Sequence, residues 1–361
     1  MPIPTIRSMS VRAVRLPMPR PHRTAGGDIT ESPLVLLDLM SSDGVVGHAF
    51  VFTYSVAALV PTAKLVENLV PSLLGQPLAP LEADRLLTSR FRLLGPQGLT
   101  GIAVALIDMA LWDALARTAC LSLVRMLGAQ ARPIAVYGGI GYDGPIESAK
   151  QATAWVEAGV QAVKPKIGYP TLREDLAVLR AIRSAVGPEV AVMADYNQSL
   201  DPVEACQRLR ALDDEGLAWI EEPITAHDFS GMARLRQQIR TPIQAGENWW
   251  GPQDFATAIA TGASDHLMPD VMKVGGVTGW MRVAGAAAAQ DLPISNHLFP
   301  EVSAQLLCAT PTAFRLEYAD WWNRLLENPL RLKDGKAIVD ADKPGSGVEW
   351  NEPVVSEFAV S

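Results

Sequence analysis

Cysteine is scarce in this chain of 361 residues. The three present, Cys120, Cys206 and Cys308, lie far apart and form no CxxC pair. That excludes a disulfide framework and suits a reducing, cytoplasmic setting. Charge is sparse as well, at 19% of residues, and leans acidic: 31 Lys and Arg against 39 Asp and Glu, for a formal net charge of −8. A broad basic face for nucleic acid is therefore not expected. The N-terminal MPIPTIRSMSVRAVRLP has no apolar run of the secretory kind, so no signal peptide is expected. Nor does a charge-free stretch long enough to span a bilayer occur. The most apolar segment, Leu99 to Ala116, carries Asp108 and Asp113 and reads as a buried amphipathic helix, so no membrane partner is expected. The GxGxxG fingerprint of a dinucleotide site is absent too. What the chain does have is 48% hydrophobic residues, enough for a large core and incompatible with disorder. Its length allows two domains, or one α/β barrel with a smaller companion.

The first third has mixed grammar. Ser8 to Leu16 alternates like a strand, and Leu34 to Leu39 and Val45 to Phe52 are two apolar runs joined by Ser41-Ser42-Asp43-Gly44, a hairpin signal. Helical patterns follow near 56–73, 79–93 and 98–117. Pro19 to Ser32, polar and containing Gly26-Gly27, reads as a mobile lid loop. From about residue 130, short β-rich runs alternate with helices. The runs are Ile134–Tyr137, Ala162–Lys166, Val190–Asp195, Ala218–Glu222, Ile243–Gly246, His266–Asp270, Ile294–His297 and Ala313–Glu317. Eight strands with helical crossovers predict a (β/α) barrel; an open doubly wound sheet is the alternative, weakened by the missing fingerprint. The expected division is an α+β cap over 1–128 with a lid at 19–32, a barrel over 129–320, and a Pro- and Gly-rich tail, 321–361, returning to the cap.

Asp195, Glu221 and Glu247 each close a β-run. Successive members are 26 residues apart, about one βα unit, so all three are expected at one barrel mouth. Any one of them alone reads equally well as a surface or helix-capping acid. Three together repel one another and call for a hard cation bound by oxygen, such as Mg²⁺. Lys164 and Lys166 end the preceding strand with both side chains on one face, Pro165 on the other. Their mutual repulsion, with a metal nearby, is expected to disfavour protonation and make a lysine a general base, although a solvated pair at a rim fits the same spacing. Asp270 and His297 close two later strands, 27 residues apart, where a carboxylate would fix the imidazole tautomer and raise its basicity. Glu317 ends the last strand and is expected to be an acid kept protonated by desolvation and negative neighbours. Asn197 sits two residues past Asp195, placed to bond a substrate hydroxyl or carboxylate. A base on each side of a metal suits removal of a proton α to a carboxylate, through an enediolate.

In VKPKIGYP (163–170), ADYNQSLD (194–201), WIEEP (219–223), GENWWGP (246–252), MPDVMKVGGVTGW (268–280) and SNHLFPEVSAQLLCATPTA (295–313), the chain resembles the mandelate racemase subgroup of the enolase superfamily. The resemblance covers nearly the whole chain. It implies a (β/α)₇β modified TIM barrel with an α+β cap, a homo-oligomer, and a small carboxylate substrate. It further implies Asp195, Glu221 and Glu247 as Mg²⁺ ligands, and Lys166 and the His297–Asp270 pair as bases for the (S) and (R) faces. Lys164 would meet the substrate carboxylate, Asn197 the α-hydroxyl, and Glu317 would be the electrophilic acid. The implied activity is racemisation or epimerisation of a 2-hydroxy acid, with dehydration of an acid sugar to a 2-keto acid as the alternative.

The departures fall on specificity elements. A serine of the family's first barrel strand is missing from Tyr137-Gly138-Gly139-Ile140. The lid is polar, from Pro21, His22 and Arg23 to Asp28, rather than valine-rich, and Ala319 stands where a leucine is found in mandelate racemase. Phe52 and Tyr54 keep the aromatic pair under the lid. These changes point away from mandelate and toward a more polar, larger or doubly charged substrate. His22 or Arg23 would be its partner, unless both simply face solvent; Trp321 and Trp322 fit interdomain packing better than a pocket wall.

Overall fold

The computed structural model describes residues 3–24 and 27–360. The chain begins with an antiparallel sheet of β1 (Ile6–Thr24), β2 (Gly27–Ser41) and β3 (Val46–Phe52), with β2 in the middle. Leu34 to Leu37 are all fully buried, as suits a central strand covered on both faces. Helices α1 (Val56–Leu73), α2 (Pro80–Arg90), α3 (Gly98–Thr118) and the short α4 (Leu123–Met126) complete this layer. Gly47 lets β3 press onto α3, since a Cβ there would meet the Ala110 carbonyl oxygen at 2.4 Å.

Helix α3 is buried on nearly every side rather than amphipathic. Its two aspartates are tolerated because each has donors. Asp108 accepts the Thr278 N–H at 3.0 Å and the Thr278 hydroxyl, tying the cap to the barrel. Asp113 accepts the N–H groups of His48 (2.8 Å) and Ser346 (2.6 Å) and pairs with Arg117 at 2.6 Å. Buried polar groups persist only with such partners.

The barrel follows as β4 (Ile134–Ile140), α5 (Gly144–Glu157), β5 (Ala162–Pro165), α6 (Leu172–Val186), β6 (Ala191–Val192), β7 (Ala194–Asp195), α7 (Pro202–Leu212), β8 (Ile220–Glu221), α8 (Phe229–Arg236), β9 (Ile243–Ala245), α9 (Gly251–Thr261), β10 (His266–Leu267), α10 (Gly276–Ala288), α11 (Pro300–Ala309) and β11 (Leu316–Tyr318). Pairing is parallel throughout, and β11 closes the ring onto β4. The run Ile294–His297 takes its place by single bridges, Leu267 with Ile294, Asp270 with His297, and Ile294 with Ala313. Eight strand positions and seven intervening helices make a modified (β/α)₇β barrel under an N-terminal cap.

Two expectations are corrected here. Residues 19–32 do not form a loop: they continue β1 and β2 as a long hairpin, with a register shift between Pro17 and His22; Ala25 and Gly26 lie outside the described residues. Local polarity misread a segment whose backbone groups pair with each other. The tail, too, is shared between layers. Its hairpin β12 (Arg331–Lys333) and β13 (Lys336–Ile338) adds antiparallel to barrel strand β4. The tail meets the cap on both sides of that hairpin: before it Trp322 packs on Phe50 and Phe52, and after it α12 (Glu352–Phe358) leads to a bridge between Ala359 and Val14.

Candidate active site

The C-terminal ends of the barrel strands and the β1–β2 hairpin enclose a cavity of about 310 Å³. Lys164, Lys166, Glu247, His297 and Glu317 form its floor. Parallel pairing of β7 with β8 sets Asp195 beside Glu221 in register. Asp195, Glu221 and Glu247 each offer an oxygen within 4.8 Å of the others, and all three are buried. Glu221 accepts the Trp219 indole N–H at 3.1 Å and the Gln244 amide at 3.0 Å, which fixes its plane. Burial raises the proton affinity of Glu221, and the charges of Asp195, Glu247 and Glu317 add to this against the pull of Lys164. An all-oxygen cluster short of positive charge fits a hard divalent cation.

Lys164 contacts Glu221, lies 2.9 Å from Glu317 and 3.7 Å from Asp195, and has the Tyr137 ring beneath it at 5.4 Å. Lys166 donates to Asp195 at 2.9 Å and to Asn197 at 2.5 Å. Asn197, at φ 44°, also turns its own N–H and amide onto Asp195, at 2.8 and 3.2 Å. Neither lysine is pushed down as the sequence suggested. Burial and the repulsion from Lys164 lower the Lys166 proton affinity, but the charges of Asp195 and Glu247 together with the Asp195 hydrogen bond leave it raised; Lys164 is likewise raised, by Glu221 and Glu317. The protein's own carboxylates dominate, and a cation sharing those carboxylates is what would reverse the balance.

On the opposite side, His297 Nδ1 lies 2.7 Å from Asp270 Oδ2, and its Nε2 is 3.7 Å from Glu247. The other Asp270 oxygen is pinned by the Met272 N–H at 2.7 Å. Burial lowers the proton affinity of His297, but the Glu247 charge and the Asp270 hydrogen bond more than offset it, so the net shift is upward. Glu317 has donors beside it, Lys164 at 2.9 Å and the Leu298 N–H at 3.1 Å. Leu298 can aim that N–H because it adopts φ 50°, a conformation strained for a branched side chain.

The outer wall is more varied. His22 lines the cavity with its ring 4.7 Å from Trp321, and burial together with the Lys166 charge pushes it down to about 3, leaving a neutral imidazole. Trp321 is therefore both packing and wall. Arg23 also lines the cavity but is engaged, 3.2 Å from Asp143 Oδ1, while Asp143 Oδ2 accepts the Gln151 amide at 2.8 Å. Its backbone oxygen accepts the Tyr142 N–H at 3.0 Å, stitching the hairpin to the barrel.

Phe52 and Tyr54 do not line the cavity. Phe52 is fully buried against Tyr54, Trp321 and Trp322, and Tyr54 lies over the Lys273 ammonium at 4.7 Å. Sequence reasoning missed Trp155. A Cβ on Gly138 would fall 2.3 Å from its ring, whereas one on Gly139 would meet nothing within 4 Å. The first glycine admits the indole and the second leaves free room on the cavity side; the Gly-Gly pair was the available signal. It also missed buried Glu222 and Lys273 and half-buried Asn248, although Glu222 adjoins Glu221 and Lys273 follows Asp270 by one helical turn.

The family description "Mandelate racemase / muconate lactonizing enzyme, N-terminal domain" matches residues 6–128, and "Enolase C-terminal domain-like" matches residues 147–354. The chain is 46% identical to an enolase from Bradyrhizobium crystallised with magnesium and mandelic acid, each chain covered in full, with a TM-score of 0.95. A racemase from Streptomyces coelicolor A3(2), solved with bound magnesium, is 27% identical with a TM-score of 0.92, covering 98% of this chain and 100% of that one. An L-talarate/galactarate dehydratase of Salmonella typhimurium is 31% identical over 330 residues, 90% of this chain and 82% of the relative.

Proposed function

The chain belongs to the mandelate racemase/muconate lactonizing enzyme family of the enolase superfamily, and from that membership we propose that it is a Mg²⁺-dependent racemase of a 2-hydroxy monocarboxylate. The observation carrying this reading is a lysine and a carboxylate-backed histidine on opposite sides of one cavity. Asp195, Glu221 and Glu247 hold the cation. When bound, Mg²⁺ supplies fixed positive charge that stabilises negative charge developing on the substrate carboxylate.

The chain's own groups perform the proton transfers. Lys166 Nζ takes the α-proton from the (S) substrate, and His297 Nε2 returns one to the opposite face; the (R) substrate reverses the roles. Asp270 keeps the His297 proton on Nδ1, so that Nε2 is the exchanging atom. Lys164 meets the substrate carboxylate, Asn197 orients the α-hydroxyl, and Glu317, acting as the carboxylic acid, donates a hydrogen bond to the carboxylate end. The group on the α-carbon lies toward Gly139, Trp155 and Trp321. Because Asp143 engages Arg23, a second carboxylate there lacks the partner the sequence suggested.

Incubation with Mg²⁺ and a panel of 2-hydroxy acids and acid sugars in D₂O tests this. Deuterium at Cα with loss of optical rotation and no keto acid is expected. Keto acid trapped with semicarbazide would replace racemisation by the dehydration known in the Salmonella relative's name.

A further inference from the structure

A buried cation outside the reacting groups lies one amide away from the carboxylate cluster. Lys273 is 6% exposed, and its ammonium lies between the rings of Tyr54, at 4.7 Å, and Trp250, at 5.9 Å. It donates to Asn248 Oδ1 at 2.7 Å. The Asn248 amide nitrogen then faces two acids, Glu222 at 2.7 Å and Glu247 at 3.2 Å. An ammonium has only donors, so it fixes which end of the amide it meets. With Lys273 in place, the NH₂ group must face the carboxylates. Without it, the amide oxygen loses its donor and only Glu222 and Glu247 hold the group, so its aim at Glu247 loosens.

We propose that Lys273 is a positioning residue for the metal-binding carboxylate Glu247, acting through the Asn248 amide, and that Tyr54 of the cap holds it in place. This rests on the reading of Glu247 as a Mg²⁺ ligand. It gives Tyr54 a task other than touching substrate, and it links seating of the cap to the geometry of the cation site. The sign is diagnostic. Through charge alone, removing a lysine near a cation site would tighten Mg²⁺ binding; through positioning, it weakens it.

Calorimetric titration of Mg²⁺ into the full-length protein tests this, with thermal unfolding in EDTA as the check on folding. Lys273→Met is expected to weaken Mg²⁺ by about 10–100-fold, the usual range for a lost partner of a metal ligand, with Lys273→Arg recovering part of it. Asn248→Ala should weaken it similarly, and the double variant should be no weaker than either single one. Tyr54→Leu should weaken binding several-fold while Tyr54→Phe, which keeps the ring, binds as the parent does. Unchanged or tighter binding in Lys273→Met, or additive losses in the double variant, overturns the inference. If Lys273→Met fails to fold, equal affinity for the Tyr54→Leu and Tyr54→Phe proteins overturns it instead. Failure of the unaltered protein to bind Mg²⁺ overturns the reading of the site itself.

Discussion

The two sides of the mouth hold their bases in different ways. Lys166 ends a flexible stem and is steered by Asp195, the last residue of β7, and Asn197 just after it. His297 is a planar ring locked by Asp270, which is itself locked by the Met272 N–H. Asp195 belongs to the carboxylate cluster, so the lysine's proton affinity is tied to whatever that cluster binds. Asp270 lies outside the cluster, so the histidine has an orienting partner of its own, although the Glu247 charge also raises its proton affinity. One base is oriented by a group of the cluster and the other by a dedicated one, and that difference makes the two sides separable by mutation.

Removing either base tests the separation most severely. Lys166→Met should cut α-proton exchange of the (S) enantiomer by about 10²–10⁴-fold while (R) exchange persists. His297→Asn should do the reverse. Proton NMR in D₂O reads both, and equal loss for both enantiomers in either variant would break the comparison. Asp270→Asn should have a smaller effect, about 10–100-fold and confined to the (R) face, because it removes the orienting partner but leaves the imidazole. The pH profile of that exchange should move to lower pH, since the Asp270 hydrogen bond is one of the terms raising His297.

Changes away from both bases should treat the enantiomers alike. Gly138→Ala drives a methyl into the Trp155 ring, which should cost about 1–3 kcal/mol in urea unfolding and raise KM for both enantiomers together. Gly139→Ala fills open space and should leave stability nearly unchanged.

The smallest effect on catalysis is expected at Asp108. Burial pushes its carboxyl up to about 7, above its ordinary value. Its contribution to stability is therefore complete below an unfolded value near 4 and is lost as pH rises through about 7. Asp108→Asn should flatten the decline of Tm between about pH 5 and 8 while leaving the exchange rates of both faces unaltered.

Most of the floor of the site was legible in the sequence because strand ends in a barrel repeat at regular intervals. Asp195, Glu221 and Glu247 could be counted into one mouth, as could the Asp270–His297 pair. The cap and outer wall resisted for physical reasons. The β1–β2 extension is polar on the outside and paired through its backbone, so its side chains gave no strand signal. Arg23 looked available because Asp143 is 120 residues away. Tyr54 looked like a pocket residue because Lys273, the charge it covers, lies in another layer. The direction of the lysine shifts depended on three-dimensional distances to carboxylates that spacing alone does not supply.

The bridge between Val14 and Ala359, with the Val360 N–H donating to the Ala13 carbonyl at 2.8 Å, joins segments that lie on opposite sides of the barrel in sequence. Strand β1 is therefore synthesised long before the segment that flanks it. Barrel strand β4 likewise waits for β11 on one side and β13 beside it. Vectorial synthesis therefore yields a long-lived nascent chain with unpaired strand edges, and closure of the ring is a late, concerted event with high contact order. Such a protein is expected to fold slowly and to lean on chaperones while it is being made.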